Sequence, residues 1–410
     1  MADFVKQEIC MATRVPYLEK LKQASGILRE LGLDAWLIFV RETALNSDPM
    51  AELLWDFAVI WPAAFIITAD GQRIATGVVH DEPALSQSGL FTQVIPFQKS
   101  PEETLPDIIK KLDPKTIALN YSESDVSADG LSHGLYLRLR RMLEGTPYAG
   151  RFVSAERMIG FLRQRKLAAE LMLLKEAART ADEIFEAFTR VVRPGMSETE
   201  MARVFLREVR TRGIETSWDA RHCPNVNAGP NTGRGHLGPL PDVVLCNGDI
   251  LNVDFGVKQN GYCSDQQRMW YVLRKGETSP PDQVLKPFHA VRDAIRAGFD
   301  ALKPGVQGWQ VDAAARKFLT DAGYPEYLHS LGHNVGRYAH DGGVASLSPR
   351  WPSYGERAYG VIESNQVLTL ELGIWNEAGY YGLEEEVRVT ETGAEWFWPP
   401  QEALILIPPE

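Results

Sequence analysis

The stretch Asp249-Ile-Leu-Asn-Val-Asp-Phe-Gly-Val-Lys-Gln-Asn-Gly-Tyr-Cys-Ser-Asp-Gln-Gln-Arg268 determines most of what can be predicted about this chain. Its apolar residues alternate with other residues from Leu251 to Val257, which indicates a strand with one buried face. Asn260-Gly261 follows, and this pair supplies the two positive φ angles that a tight hairpin turn requires. We therefore predict a β-hairpin that is closed at Asn260-Gly261.

The register of this hairpin brings two carboxylates onto one face. A two-residue loop at 260–261 pairs Asp254 with Gln267 and places Gly256 opposite Asp265. Asp254 and Asp265 are then diagonal neighbours, with their β-carbons about 7–8 Å apart. Gly256 has no side chain to fill the space between them, and two carboxylates directed into one gap repel each other unless a cation lies there. The hairpin is thus a first indication of a metal site, and the alternative for a single hairpin of this kind is a solvent-exposed ribbon.

A second hairpin of the same kind lies further along the chain. Segments 367–375 and 380–390 have the composition of strands, and they flank a four-residue loop at 376–379. Pairing across this loop sets Glu371 directly opposite Glu384, and like charges that face each other across a ladder are destabilising. The second hairpin therefore also predicts a cation.

Three histidines, His329, His333 and His340, lie in a glycine-rich segment between the two hairpins. The glycines favour a loop or an irregular strand there. A further histidine, His236, stands in a loop just ahead of the first hairpin. Together with the two diacid hairpins these histidines indicate metal binding or catalysis, whereas His222 is interpreted as structural.

Oxygen-rich ligation with a single imidazole suits Mn²⁺, Co²⁺ or Zn²⁺. Four carboxylates and one neutral histidine balance the charge of two such ions, and a bridging hydroxide is then the one extra negative charge. A two-metal site of this kind makes a nucleophile from water near neutral pH. Nearby imidazoles can donate to the developing oxyanion or protonate a leaving amine. The predicted reaction class is hydrolysis of an amide or an ester.

Composition excludes several other classes of function. The chain has 410 residues, a net charge of −11 and a pI near 5.4, which argue against a general nucleic-acid or anionic-membrane surface. Its 4 cysteines show neither a zinc-ribbon spacing nor a disulfide framework and suit a reducing compartment. No signal sequence and no run of about 18 apolar residues is apparent, so a cytoplasmic protein without a membrane partner is expected.

Two domains are predicted. Residues 1–160 alternate strand-like and helical segments, which predicts an α/β domain. In residues 161–410, two helices separated by a Pro-Gly pair precede each hairpin, at Pro194-Gly195 and again at Pro304-Gly305. This recurrence predicts an internal duplication with a site between the two halves.

The predicted elements follow from periodicity and from helix start and stop signals. The predicted strands of the first domain are Ala35–Val40, Ala63–Thr68, Arg73–Val79, Thr92–Phe97 and Thr116–Asn120. The predicted helices are 15–32, 102–112, 129–144, 167–192, a helix capped by Ser197, 281–302 and 308–322.

Four motifs, taken together, resemble the pita-bread metallopeptidases over about residues 165–400. They are Asp254-Phe-Gly with Gly261-Tyr-Cys-Ser-Asp265, Gly332-His333-Asn-Val-Gly336, Leu370-Glu371-Leu-Gly and Leu383-Glu384-Glu-Glu. The α/β region before them is similar to the creatinase-type N-terminal domain, which favours the Xaa-Pro dipeptidase (prolidase) and Xaa-Pro aminopeptidase branch. The resemblance implies an α/β N-terminal domain and an α+β pita-bread catalytic domain with internal pseudo-twofold duplication.

The resemblance also implies a role for each site residue. Asp254 would ligate one of two divalent ions per chain, Asp265 and Glu384 would bridge them, and His333 and Glu371 would hold the second. Manganese is the first expectation, with cobalt or zinc as alternatives. Glu371 would also shuttle the proton of the bridging water. The catalytic histidines that line the substrate site would be His236, His329 and His340, and a homodimer is expected.

Three positions depart from the usual pattern of members that cleave before proline. Gly382 stands where such members carry Arg, Trp375 where they often have Tyr, and Leu372 where they often have Pro. Trp375 could be a substrate-binding wall for a proline ring or could only pack. The leading hypothesis is removal of the N-terminal residue from Xaa-Pro dipeptides or short peptides. The alternatives are hydrolysis of a small non-peptide amide or metabolite and a non-catalytic binding protein.

Overall fold

The computed structural model of the protein describes residues 16–232 and 238–410. The chain forms two compact units, Val15–Arg163 and a unit containing Gln164–Glu410. None of the helices in the described ranges is both long and apolar enough to cross a bilayer.

The N-terminal unit is built on a six-stranded mixed sheet with strand order β4-β3-β2-β1-β5-β6. The strands are β1 (Ala35–Val40), β2 (Ala63–Thr68), β3 (Arg73–Thr76), β4 (Gln93–Val94), β5 (Ile117–Leu119) and β6 (Phe152–Ser154). The helices are α1 (Tyr17–Leu31), α2 (Ala51–Leu54), α3 (Glu82–Gln87), α4 (Leu105–Leu112), α5 (His133–Met142) and α6 (Glu156–Gln164). All six residues of β1 are buried because its alternate side chains enter separate cores on the two faces of the sheet.

The prediction of an α/β arrangement is confirmed in this unit. Strands β1 and β2 begin and end at the predicted residues. The other predicted strands are shorter in the structure, and Thr92–Phe97 contracts to β4 because it pairs only at the sheet margin with two residues of β3. Periodicity identifies a strand, but the number of pairing partners determines its length.

The C-terminal unit contains two helix pairs, each ahead of a hairpin. The helices are α7 (Ala168–Val191), α8 (Glu198–Arg212), α9 (Asp282–Ala301) and α10 (Gly308–Asp321). Ser197 starts α8 with a reciprocal capping box, in which its hydroxyl accepts from the Glu200 N–H and its own N–H donates to the Glu200 carboxylate. The predicted cap at Ser197 is therefore confirmed.

The two helix pairs repeat with an offset of 110 residues. Between the helices, Gly195 has φ 88° and Gly305 has φ 89°, a left-handed conformation that only glycine adopts without strain. Ser197 and Gln307 each form an isolated antiparallel bridge, to Val244 and Val361 respectively. These matching turns and bridges support the predicted internal duplication.

One large sheet of the C-terminal unit contains the second hairpin and the part of the first hairpin that is furthest from its turn. Its strand order is β13-β14-β12-β9-β8, with β15 pairing β14 and β16 pairing β12. Its strands are β8 (Asn225–Ala228), β9 (Ile250–Phe255), β12 (Gln266–Val272), β13 (Val367–Asn376), β14 (Gly379–Val389), β15 (Ala394–Trp396) and β16 (Ile405–Ile407). A smaller sheet consists of β7 (Glu215–Thr216), β10 (Val257–Gln259) and β11 (Tyr262–Cys263). Helices α9 and α10 contribute to the apolar core that also contains residues of β13 and β14.

Candidate metal centre

The first hairpin has the predicted register. Asn260 and Gly261 have φ values of 50° and 76°, as the tight turn requires. Asp254 faces Gln267 across the ladder between β9 and β12. The hairpin is nevertheless not one straight ribbon, because it divides between the large and the small sheet at Gly256.

The reason why position 256 is glycine differs from the predicted one. A β-carbon at this position would overlap the Ser264 carbonyl oxygen and would stand 2.7 Å from the Ser217 Oγ and 2.9 Å from the Ser264 carbonyl carbon. The glycine is therefore required by the close approach of neighbouring backbone and side-chain atoms. The interpretation that Gly256 merely leaves room between two carboxylates was wrong, although the register on which it rested was correct.

The second hairpin also has the predicted register, with Glu371 directly opposite Glu384. The large sheet joins the two hairpins through the pair formed by Gln267 and Glu384. Asp254, Gln267, Glu384 and Glu371 consequently occupy one row across four adjacent strands. Residues of one row lie on the same face of a sheet, so three carboxylates face the same space.

His333 joins the carboxylates from a segment that runs beside β13. The Thr369 N–H donates to the His333 carbonyl at 2.9 Å, which fixes this segment along the strand. The His333 Nε2 atom lies 3.8 Å from Asp265 Oδ2, 3.7 Å from Glu371 Oε1 and 3.8 Å from Glu384 Oε1. Asp265, His333 and Glu384 offer ligand atoms that all lie within 4.8 Å of one another.

The electrostatics of the cluster favour a bound cation. Burial raises the pKa of Asp254 to about 7, and burial together with the Asp254 charge raises the pKa of Glu371 to about 8. The pKa values of Asp265 and Glu384 are raised well above their ordinary range by burial and by the neighbouring carboxylates. Burial, followed by the nearby His340, lowers the pKa of His333 to about 3, so its imidazole is neutral and able to bind a metal.

The unpartnered atoms of the cluster provide a test of whether a cation fits. Asp254 Oδ1 and Glu384 Oε1 are buried and receive no hydrogen bond from the described residues. Buried carboxylate oxygens that lack a donor are costly unless a cation neutralises them. Four carboxylates with one neutral imidazole form a donor set suited to divalent ions such as manganese or zinc. The residues present therefore fit a divalent metal centre.

Residues around the predicted ligands orient them. The Gln267 Nε2 donates to Glu384 Oε2 at 3.2 Å, and Asn252 Nδ2 donates to Gln267 Oε1 at 3.3 Å. The Asp265 N–H donates to Glu386 Oε1 at 3.1 Å. Sequence analysis missed these supporting roles, although the position of Gln267 opposite Asp254 was a signal that a polar side chain would enter the site.

The predicted histidines and Trp375 have different surroundings. His340 is exposed and its ring meets the His333 ring edge-on, with centroids 4.2 Å apart. His329 is half-buried, packs against Tyr327 at 5.1 Å, and makes no hydrogen bond, ion pair or ring contact with the cluster in the described part of the chain. His236 lies outside the described residues. Trp375 faces Tyr380, and the two rings are 5.1 Å apart.

Comparisons with known proteins agree with this architecture. The sequence model of metallopeptidase family M24 matches residues 172–391. Among curated relatives, the Bacillus subtilis protein named "Uncharacterized peptidase YqhT" is 27% identical over 95% of this chain and 99% of its own length. An Xaa-Pro dipeptidase of Lactobacillus delbrueckii subsp. lactis is 28% identical over 70% of this chain and 74% of its own.

A solved structure shows the same fold. The Xaa-Pro dipeptidase from Bacillus anthracis superposes with a TM-score of 0.74 at 23% identity and covers 95% of this chain and 100% of its own. This likeness confirms the predicted pita-bread fold with an N-terminal α/β domain. The family match covers more than half of the chain and confirms the predicted enzyme class. The chain therefore belongs to metallopeptidase family M24.

Proposed function

We propose that this protein is a two-metal exopeptidase that removes the N-terminal residue from Xaa-Pro dipeptides or short Xaa-Pro peptides. The observation that carries the proposal is the convergence of both diacid hairpins and His333 on one half-buried cluster. The relatives named Xaa-Pro dipeptidase support the substrate class. Manganese as the metal, a homodimer and a cytoplasmic location belong to the same proposal and rest on the sequence resemblance and composition.

Each predicted ligand has a place in the proposed centre. Asp254 would hold one ion, Asp265 and Glu384 would be shared between two, and His333 with Glu371 would hold the second. When bound, two divalent ions would supply a nucleophile from water near neutral pH and would polarise the substrate carbonyl. Gln267 orients the Glu384 carboxylate, and Glu386 holds the backbone N–H of Asp265, through the hydrogen bonds described above.

The chain's own acid and base groups would move the protons. Glu371 lies 3.7 Å from His333 and is well placed to take up the proton released by the attacking water and to deliver it to the leaving amine. His340 is exposed beside His333, so its imidazole can donate a hydrogen bond to the oxyanion that develops at the scissile carbonyl. The His329 Nδ1 lies 2.7 Å from the Ser330 carbonyl oxygen, which requires the proton on Nδ1 and leaves Nε2 as an acceptor. His236 and His329 are assigned to the substrate site by the resemblance.

A second candidate is hydrolysis of a small non-peptide amide by the same centre. Gly382 favours it, because this position has no side chain, whereas members that cleave before proline usually carry arginine there. Trp375 is half-buried beside Tyr380 and offers an apolar wall to either type of substrate.

The experiment that tests the proposal uses manganese-loaded protein and measures release of the first residue from Ala-Pro, Ala-Pro-Ala, Ala-Ala and N-acetyl-Ala-Pro. We expect cleavage of Ala-Pro and refusal of the acetylated peptide. Cleavage of Ala-Pro-Ala would indicate an aminopeptidase rather than a strict dipeptidase. Asp265→Asn and His333→Ala should abolish turnover. Full activity in these variants would refute the metal assignment, and two bound metals without cleavage of any peptide would refute the peptide substrate.

A further inference from the structure

The second hairpin carries a gap in its side chains next to the metal centre. Glu371 and Glu384 face each other, and the next pair on the same face is Gly373 opposite Gly382. The pair after that is Trp375 opposite Tyr380. We call the surface over Gly373 and Gly382 the glycine trough. It separates the acidic pair from the aromatic pair along a single face of the sheet.

The ring of Tyr380 lies in the glycine trough. A β-carbon at Gly373 would stand 2.5 Å from Tyr380 Cε2 and would overlap the hydroxyl oxygen. A β-carbon at Gly382 would stand 2.8 Å from Tyr380 Cζ and 2.7 Å from Gln267 Oε1. The Tyr380 ring therefore lies along the sheet and extends toward Glu371 and Glu384. It can lie there only because residues 373 and 382 are both glycine.

The hydroxyl of Tyr380 lies over Gly373 and is available to donate a hydrogen bond. No hydrogen bond from this hydroxyl is formed within residues 16–232 and 238–410, and Tyr380 is half-buried. The hydroxyl lies above Gly373, and Gly373 is the next position after Glu371 on the same face of β13, because alternate residues of a strand share a face. A phenol keeps its proton at neutral pH because its ordinary pKa is about 10, so the Tyr380 hydroxyl can act as a donor.

The trough can hold Tyr380 or an arginine at 382, but not both. Even the first side-chain carbon of a larger residue at 382 would meet the ring and the Gln267 amide oxygen. The resemblance leads to the expectation of a guanidinium at this point, and the structure has a neutral phenol there instead. A guanidinium selects a carboxylate, whereas a phenol donates to a carboxylate or to an amide oxygen.

We propose that Tyr380 is a substrate-binding residue whose hydroxyl donates a hydrogen bond to an oxygen on the leaving side of the scissile bond. This inference rests on the proposed function and specifies its substrate class. The oxygen that accepts this hydrogen bond can belong to a free acid, an amide or a further peptide bond. The enzyme therefore accepts all three kinds of substrate. The glycine trough thus makes this chain tolerant of different groups on the carboxyl side of the proline.

The test compares manganese-loaded unaltered enzyme with Tyr380→Phe and with Tyr381→Phe. Tyr381 is the matched control, because it is fully buried on the opposite face of the same strand. The assays are kcat and KM for Ala-Pro and for Ala-Pro-amide, with manganese affinity measured separately by calorimetry. Tyr380→Phe keeps the ring in the trough and should lower kcat/KM for both substrates by roughly tenfold, the worth of one hydrogen bond. Its manganese affinity, and both activities of Tyr381→Phe, should stay within about twofold.

A second variant exchanges the occupant of the trough. Tyr380→Ala combined with Gly382→Arg should favour Ala-Pro over Ala-Pro-amide by at least about tenfold relative to the unaltered enzyme, because the added cation selects the free carboxylate. An unchanged kcat/KM in Tyr380→Phe would overturn the inference while leaving the proposed function intact. A loss of manganese affinity equal to the loss of activity would also overturn it, since the role would then be structural. Inactivity of the unaltered enzyme on both substrates would instead refute the proposed function and the inference with it.

Discussion

Replacement of Gly256 by alanine should damage the proposed metal centre without changing any of its proposed ligands. The new β-carbon would lie 2.9 Å from the Ser264 carbonyl carbon, whereas nonbonded carbon atoms prefer about 3.5–4.0 Å. Relief of this contact alone requires Ser264 to move by about 0.6 Å, and the overlap of the same β-carbon with the Ser264 carbonyl oxygen requires a larger shift of Ser264 and its neighbour. That neighbour is Asp265, so the strain is transmitted directly to a carboxylate of the cluster.

The expected magnitudes follow from this displacement. Overpacking of a close backbone approach costs about 1–3 kcal/mol of unfolding free energy. Disturbing the support of a metal ligand weakens metal binding by about tenfold to a hundredfold. Urea unfolding of the metal-free Gly256→Ala protein would give the first quantity, and calorimetric titration with manganese would give the second.

Gly134→Ala is the matched control for this experiment. Gly134 lies in helix α5, and a β-carbon there would meet no atom within 4 Å. Alanine in a helix is favoured over glycine, so this variant should be as stable as the unaltered protein or more stable by about 0.5–1 kcal/mol. The reasoning would be refuted if Gly256→Ala bound manganese as tightly as Gly134→Ala.

Three further predictions concern charge, ligand orientation and helix capping. Metal-free protein should become less stable as the pH rises from 5 to 8. The pKa of Asp254 is about 7 in the folded protein and 3.8 without burial, so the unfolded chain loses this proton at a lower pH than the folded protein does. The unfolding free energy therefore falls as the pH rises above 3.8 and stops falling above about pH 7. Asp254→Asn should remove about 3 kcal/mol of the loss between pH 5 and pH 8 in urea titrations at the two pH values, and an equally steep loss in this variant would contradict the assignment. Gln267→Met should weaken manganese binding about tenfold to a hundredfold in calorimetry by releasing Glu384, with Met142→Gln as a remote control, and unchanged affinity would show that the hydrogen bond is unimportant. Ser197→Ala should lower the unfolding free energy by about 1 kcal/mol through loss of the helix cap while leaving manganese affinity unchanged, and a stability equal to that of the unaltered protein would refute the capping role.

Local patterns predicted each hairpin well. Asn260-Gly261 sets the register of the first hairpin, because few residues tolerate two consecutive positive φ angles. The pairing of Glu371 with Glu384 follows similarly from the length of the loop between their strands. Buried runs such as Ala35–Val40 were also predicted correctly, since a strand covered on both faces is apolar throughout.

Contacts between distant segments could not be predicted in the same way. The pairing of Gln267 with Glu384 joins two hairpins that are far apart in sequence, and no local turn specifies it. The position of His333 depends on a loop that binds the edge of β13, so its distance from the carboxylates was accessible only through the resemblance. The role of Tyr380 required knowledge of how a ring lies over Gly373 and Gly382, which a one-dimensional pattern does not contain.

The distribution of the cluster over two hairpins has a consequence for biosynthesis. Asp254 and Glu384 are separated by 130 residues, which a ribosome adds in about 6 to 26 s at roughly 5–20 residues per second. During that interval the nascent chain gains Asp265, His333 and Glu371 in turn, but the cluster still lacks the Glu384 carboxylate. In the proposed centre, selection of the ion would therefore follow translation of Glu384, when both pairs of acids and His333 can close around it.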